Sequence, residues 1–384
     1  MLRVAILTTD GRDLLGDYSS QVPDFGTAPQ ALLQGFAGLP DVEVHVVSCL
    51  RKPVVSPEKL APNIFYHSLH VPKIGWMTTG YQGCIRAVRE KMRRIMPDIV
   101  HGQGTERDCA ISAVYSGFPN VVTIHGNMRR IAKANQATPF SYNWLNAHLE
   151  AFTLPRTGGV LCNSVYTQSM VAPLAKMTWL APNALRSEFF DALKTAAPSR
   201  PPVLLNVGVV TAYKRQVELL AFAGELHRRG LGFQLRFIGP SSATDSYGAI
   251  FHRELKAAEA AGYAAYMGAV SAPELIRCMD EALALVHVPG EEAFGLVVAE
   301  ALARNLKFFG FGVGGVVDIA TGVEGAEVVG EGRWDDLGNA IARWLEAGAP
   351  RPAAADAAMR PRYHPRVVAE RHVAIYREVL SNSP

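Results

Sequence analysis

Short runs of β-branched and aliphatic residues alternate along the chain with longer stretches whose apolar positions recur every three to four residues. Residues 4–8, 42–47, 99–101, 121–125 and 159–162 read as buried strands, being short, apolar and flanked by turn residues. Residues 28–36 and 81–95 carry the spacing of helices. Strand and helix in alternation predict parallel sheets covered on both faces. The proline-rich PSRPP (198–202) punctuates the pattern, which then starts afresh with the strand VLLNVGVV, a helix over 216–229, and the strands QLRFIGP, AAYMGAV and ALALVHV. A second α/β sheet therefore begins near residue 200. The stretch 347–358, rich in alanine and proline, reads as a loop or loose linker. Val367, Val368, Ile375, Tyr376 and Leu380 mark a packed terminal helix over 365–380.

Length supports the same division, since 384 residues suit two domains of comparable size. With 49% hydrophobic and 19% charged residues the composition is that of a globular protein. No apolar run approaches the roughly 20 residues of a membrane helix. The opening MLRVAILTTD reads as a strand and shows no export signal, so the chain is expected in the cytoplasm. Five scattered cysteines without a Cys-x-x-Cys pair are expected to be reduced packing residues. Charge is uneven: residues 1–185 hold 17 lysines and arginines against 12 acidic residues, and the remainder 21 against 23. The densest basic cluster, CIRAVREKMRRIMP (84–97), fits a solvated helix face or attraction to an anionic membrane surface or acidic acceptor.

Several catalytic devices are missing from the sequence. It contains no Gly-x-x-x-x-Gly-Lys-Ser/Thr phosphate loop, no Gly-x-Ser-x-Gly nucleophile turn, no His-Glu-x-x-His helix and no Asp-x-Asp pair. GFGVGG (310–315) is a weak match to a dinucleotide fingerprint. Ligands of open parallel sheets bind beyond the carboxyl ends of the strands, and two such sheets facing one another would make a cleft. GEEAFGLVVAEALARN (290–305) occupies such a place. The strand before it should end near Pro289 and a helix start at Leu296, with Phe294 and Gly295 at an N-terminus suited to a diphosphate. Glu300 lies about 6 Å further along the helix axis, and Glu292 stands in the preceding loop. Both carboxylates suit vicinal hydroxyls; on spacing alone, two glutamates around a helix start are more often solvent-facing.

EAFGLVVAEALARN followed by GVGGVVDI resembles the glutamate-x7-glutamate signature of the retaining glycosyltransferases of the family four group (glycosyl transferases group 1). FGTAPQALL, DIVHGQG, VVTIHG, LCNSVYTQ, LAPNAL, NVGVVTAYKRQ, RFIGP, YMGAV and SAPELIRCM extend the resemblance over most of the chain. It implies the GT-B fold: two facing Rossmann-like domains with parallel sheets, acceptor held mainly by the first and donor by the second, and a C-terminal helix crossing back to the first. The boundaries expected are 1–185, a linker at 186–200, 201–360, and the terminal helix at 361–384.

By that resemblance Glu300 would bind the donor ribose and Glu292 the sugar hydroxyls. The Phe294, Gly295 and Leu296 backbone would hold sugar and phosphates, and Lys214 would neutralise the leaving diphosphate. His125 matches the family's active-site histidine, though its place at a strand end also fits a core residue; Gly26 matches the glycine loop that admits phosphate. His101 and Asn163 are expected to be structural. Val209 departs from the pattern by replacing the diphosphate-clamping arginine, for which Arg215 is an incomplete substitute. Ala293, Pro289-Gly290, Ala184 and Arg186 depart as well.

The expected activity is metal-independent, retaining transfer of a sugar from a nucleotide-diphosphate donor, UDP-sugar first by family frequency, to a hydroxyl acceptor. It needs no cofactor, and no nucleic-acid partner is expected. Peripheral membrane contact through residues 84–97 is a separate expectation. The alternatives are a sugar-nucleotide epimerase on the same fold and a non-catalytic nucleotide-sugar-binding subunit.

Overall fold

The computed structural model describes residues 1–193 and 199–382, so part of the expected linker at 186–200 lies outside the described residues. The chain divides into two compact units, Met1–Ser187 with Arg362–Pro384, and Glu188–Pro361.

The N-terminal unit is built on eight strands: β1 (Leu2–Leu7), β2 (Val42–Leu50), β3 (Lys59–Ala61), β4 (Ile64–His70), β5 (Ile99–Gln103), β6 (Asn120–Ile124), β7 (Val160–Cys162) and β8 (Thr178–Leu180). Their order across the sheet is β3-β4-β2-β1-β5-β6-β7-β8, parallel except where the edge strand β3 pairs antiparallel with β4. The C-terminal unit holds β9 (Val203–Val207), β10 (Gln234–Ile238), β11 (Ala264–Tyr266), β12 (Ala284–His287), β13 (Lys307–Phe311) and β14 (Ala326–Val329). They lie in the order β11-β10-β9-β12-β13-β14, every pairing parallel. Burial on both faces explains why the central strands β1 and β12 read as continuous apolar runs and not as alternating ones. Val4, Ala5, Ile6 and Leu7 of β1 are at most 2% exposed, and every residue of β12 is buried.

In each sheet the chain starts in the middle and winds outward in both directions. β1 sits between β2 and β5, and β9 between β10 and β12. Crossovers that leave on opposite faces open a crevice at that switch point, beyond the carboxyl ends of the strands.

The terminal helix, Pro365–Ser381, packs in the N-terminal unit against the helix Thr27–Ala37. Phe36 stacks on Tyr376 with ring centroids 6.3 Å apart. At Gly35 the two backbones come so close that an added Cβ would lie 2.1 Å from the Pro365 carbonyl oxygen. Residues 347–358 differ from expectation, since a helix, Ala355–Tyr363, begins inside them. Its start is held by remote side chains: the Ala353 and Ala354 N–H groups donate to the Glu324 carboxylate, and the Asp356 N–H donates to Asn305 Oδ1.

Candidate active site

In the C-terminal unit the chemistry gathers at the β9/β12 switch point. β9 leads through Gly208 to a short 3-10 turn, Ala212–Lys214, and β12 ends on His287. Lys214 Nζ donates to Glu292 Oε2 at 2.5 Å, and His287 Nε2 lies 2.9 Å from the same oxygen. The Lys214 and Glu292 side chains are 17% and 13% exposed and His287 is buried, so the ion pair sits in a poorly hydrated recess where Coulomb attraction is strong. Burial pushes the Glu292 carboxyl up, but the Lys214 ammonium and the His287 hydrogen bond outweigh it and hold it at about 2. Burial lowers the His287 imidazole. A neutral ring donating from Nε2 therefore fixes one edge of the ionised carboxylate.

The loop that carries Glu292 is clamped from behind by the glycines of GFGVGG. The Gly315 N–H donates to the Glu292 carbonyl at 3.0 Å, and an added Cβ on Gly315 would lie 2.5 Å from the Ala293 carbonyl oxygen. This stretch begins in the last two residues of β13 and leads into the helix Val316–Ala320; it supports the glutamate loop.

The helix Leu296–Ala303 then starts at Gly295, whose φ of 97° is left-handed and suits glycine. The Val298 and Ala299 N–H groups donate to the Gly295 carbonyl, so it is those of Leu296 and Val297 that precede any intrahelical acceptor; Leu296 is half-buried while Phe294 is 3% exposed. Glu300 is 4% exposed on the inner side of this helix, so little of its carboxylate is open to a ligand in this structure. Ion pairing also organises the far end of the helix, where the Arg304 guanidinium grips both Asp280 oxygens in a buried bidentate pair.

Gly208 has open space where a Cβ would be, and its φ is 153°. Val209 beside it is 49% exposed. Arg215 bonds Glu331 Oε1 at 2.7 Å and lies against Gly290, where an added Cβ would meet its Nη2 at 3.0 Å. The arginine that was the sequence's only substitute for the missing phosphate clamp is thus already engaged with a carboxylate.

In the N-terminal unit, His125 follows β6 and is half-buried. Its Nε2 donates to Gln103 Oε1 at 2.9 Å, and burial lowers its imidazole. Behind it stands a buried polar chain. The Gln103 amide nitrogen approaches the His101 ring, which lies 2.7 Å from Thr123 Oγ1 and 2.6 Å from Tyr376 Oη. His101 is completely buried; its role is to hold Gln103 and so His125. Asn163 donates to the His125 carbonyl. His125, Gln103, Asn183 and Ala28 line one small cavity, so the start of the helix Thr27–Ala37 is brought to the histidine. Gly26, the residue before that helix, has a φ of 74° and is exposed, with its N–H donated to Asp24 Oδ1 at 3.1 Å.

His287 and Gln103 escaped the sequence reading, and Tyr376 entered it only as a packing residue of the terminal helix, without its contact to His101. His287 had one signal, a histidine closing an apolar strand five residues before the glutamate. The five cysteines are buried. Among the described residues Cys49, Cys84 and Asp108 form the one group with metal-ligand atoms within 4.8 Å of one another, remote in sequence from the glutamate loop.

Two family models match the chain: "Glycosyl transferases group 1" over residues 189–360 and "Glycosyltransferase Family 4" over residues 30–179. No curated protein matches the sequence. Among solved structures, sucrose-phosphate synthase from Thermosynechococcus elongatus is 18% identical with a TM-score of 0.77, the similarity covering all of both chains. HepE from Anabaena, in complex with UDP-glucose, is 14% identical with a TM-score of 0.71, again over the whole of both. An E. coli structure described as trehalose-6-phosphate bound with UDP-2-fluoro glucose is 13% identical with a TM-score of 0.71 and equally complete coverage. The two models meet the two units one for one, and the chain belongs to the GT-B glycosyltransferases of the family four group.

Proposed function

We propose that the chain is a retaining, metal-independent hexosyltransferase that uses a nucleotide-diphosphate sugar, UDP-sugar first, and a hydroxyl acceptor, in the synthesis of a glycan, glycolipid or polysaccharide. The observation that carries this reading is the Lys214–Glu292–His287 cluster at the switch point of the C-terminal sheet, next to the start of the helix Leu296–Ala303. Similarity to structures described with UDP-glucose and UDP-2-fluoro glucose supports the donor class.

In this reading the bound donor exchanges partners with the resident ion pair. Its diphosphate takes the Lys214 ammonium and the helix N–H groups of Gly295 and Leu296, and its sugar hydroxyls take the Glu292 carboxylate. Negative charge grows on the diphosphate as the glycosidic bond breaks, so a preorganised ammonium there is worth more in the transition state than in the ground state. The leaving phosphate accepts the proton of the acceptor hydroxyl on the same face, which gives retention without an enzymic nucleophile. Glu300 is assigned to the ribose, which requires its buried carboxylate to turn toward the ligand. Phe294 packs beneath the loop, and Gly26 and His125 serve the substrates from the N-terminal unit. Val209 leaves the diphosphate with one cation fewer, predicting weak donor binding.

The test is slow hydrolysis of UDP-, GDP- and ADP-sugars without acceptor. At least one should be cleaved, and Lys214→Ala should lower the rate about a hundredfold, the loss typical of a removed transition-state donor. If no donor is bound or cleaved, the catalytic reading fails; binding without transfer to any acceptor would favour a non-catalytic subunit, and turnover of the sugar stereocentre without acceptor an epimerase. Membrane contact is a separate part of the proposal. The helix Gln82–Ile95 buries Cys84, Ile85, Val88 and Met92 and exposes Arg86, Arg89, Arg93 and Arg94, and no helix among the described residues is long and apolar enough to cross a membrane. Sedimentation with liposomes should increase with anionic lipid content.

A further inference from the structure

A cavity in the N-terminal unit lies away from His125. It measures about 680 Å³ and is lined by Leu14, Ile74, Trp76, Met77, Arg51 and Arg107 among others, a volume that suits a small organic ligand. Its position follows from the fold. Arg51 comes directly after β2, Asp13 belongs to the short helix Gly11–Leu15 after β1, and Arg107 follows β5. These are three neighbouring parallel strands around the β1/β5 switch point, the place where an open sheet presents its ligand site.

The polar part of the cavity is cationic. Asp13 is fully buried and bonded by both arginines, Arg51 Nη2 and Arg107 Nη2 each at 2.9 Å from Oδ2. Two guanidiniums on one carboxylate leave a positive charge over, and Lys73 lies on the same lining. Asp108, next in sequence to Arg107, has its carboxylate among Cys49 and Cys84. Arg107 is 8% exposed, yet its Nη1 has no hydrogen-bond partner among the described residues. A guanidinium nitrogen buried without an acceptor is costly, and the arginine that carries it is part of the cavity's lining.

The apolar part combines aliphatic side chains with aromatic ones, the exposed Tyr142 among them. Leu14 and Ile74, 61% and 77% exposed, stand at the cavity with the half-buried Met77. Trp76 is buried beneath them, its indole N–H donated to the Val71 carbonyl. The Arg51 and Arg107 guanidiniums lie 5.6 and 4.9 Å from its ring centroid, so the indole already serves as a platform for the cations. Leucine, isoleucine and the flexible methionine, with Tyr142 beside them, are left to meet the ligand body, a surface that moulds to an alkyl chain.

We propose that this cavity binds the acceptor, and that the acceptor is an amphiphile with an aliphatic body and one phosphate or carboxylate, the anion beside the Arg51 and Arg107 guanidiniums and the chain on Leu14, Ile74 and Met77. The acceptor role rests on the glycosyltransfer reading above; the ligand class does not. Calorimetric titration of the full chain with octyl phosphate, below its micellar concentration, is the test. Octyl glucoside supplies the same chain without charge, and inorganic phosphate the charge without a chain. Octyl phosphate should bind at least tenfold more tightly than either. Arg107→Met should weaken it at least tenfold. Because that change unpairs part of Asp13, Ile74→Asp provides a second readout at an exposed position: it should melt as the parent does and lose octyl phosphate at least tenfold. Equal affinity for octyl phosphate and octyl glucoside, or a normally folded Ile74→Asp that binds octyl phosphate as the parent does, overturns the proposal. UDP titrated in parallel keeps the two readings apart, since its failure to bind tells against the donor site and leaves the octyl phosphate result to decide the cavity.

Discussion

At Glu292 burial and charge pull in opposite directions. Burial favours the neutral acid, while Lys214 and His287 favour the carboxylate and win, placing its ionisation near 2. Replacing the buried imidazole by an apolar ring, His287→Phe, removes one of the two supports while Lys214 remains. The Glu292 carboxyl should then rise toward its ordinary 4.5, and the acid limb of donor hydrolysis should move to higher pH. An unchanged acid limb would show that His287 does not support the carboxylate. Lys214 and Glu292 stand out in the sequence because each lies in a distinctive segment, NVGVVTAYKRQ and GEEAFGLVVAE. His287 is hidden within ALALVHV, where one polar residue in an apolar strand looks like any strand end. Its contact with Glu292 depends on how the intervening four residues turn back, and that is set by Gly315, beyond β13, pressing on the loop.

The elements themselves follow from local pattern. The strands are recognisable because buried parallel strands have no polar face to preserve, and the terminal helix because its apolar positions repeat with helical period. What the pattern does not carry is the distance between elements. Gly35 is one glycine in an otherwise ordinary amphipathic helix until the Pro365 carbonyl is brought against it. Gly35→Ala should therefore cost about 1–3 kcal/mol, the usual range for overpacking, and lower the melting temperature by several degrees; an unchanged melting curve would show that the helices part at no cost. At the other functional helix, Gly295→Ala forces an alanine to a φ of 97°, at a cost of roughly 1–2 kcal/mol. It should weaken UDP binding as well as stability, because the strained residue opens the helix meant to receive the diphosphate. The helix Ala355–Tyr363 was missed for a related reason. Its cap comes from Glu324 and Asn305, tens of residues away, and no local Ser, Thr, Asp or Asn announces it.

Across the whole molecule, buried histidines make stability depend on acidity. Burial lowers His67 and His372 to about 4, and lowers His45, His101, His125 and His287 as well. Each binds a proton in the unfolded chain below about 6.5 that it does not bind when folded. The stability it contributes is complete above that value and is lost as pH falls toward the folded value. His372 alone represents on the order of 3 kcal/mol when its titration is complete. Asp13 and Glu292, both held at about 2 despite burial, lose their contribution as the medium falls below the ordinary carboxylate range. Asp108 and Glu150, raised by burial, oppose this but are two groups against eight. The urea midpoint should fall markedly between pH 7 and pH 4.5. A flat midpoint would mean that these imidazoles are hydrated in solution.

The sequence by itself determined the fold class, the second start of the α/β pattern near residue 200, and the identity of the family, because each is written in short-range periodicity or in contiguous motifs. The tertiary structure decided the rest. It set His287 and Lys214 on one carboxylate oxygen, buried Glu300, gave Arg215 to Glu331, and gathered Arg51, Arg107 and Asp13 from three strand ends around an apolar cavity. Those relations join residues that are distant along the chain, and only the order of strands in the sheet brings them within bonding distance.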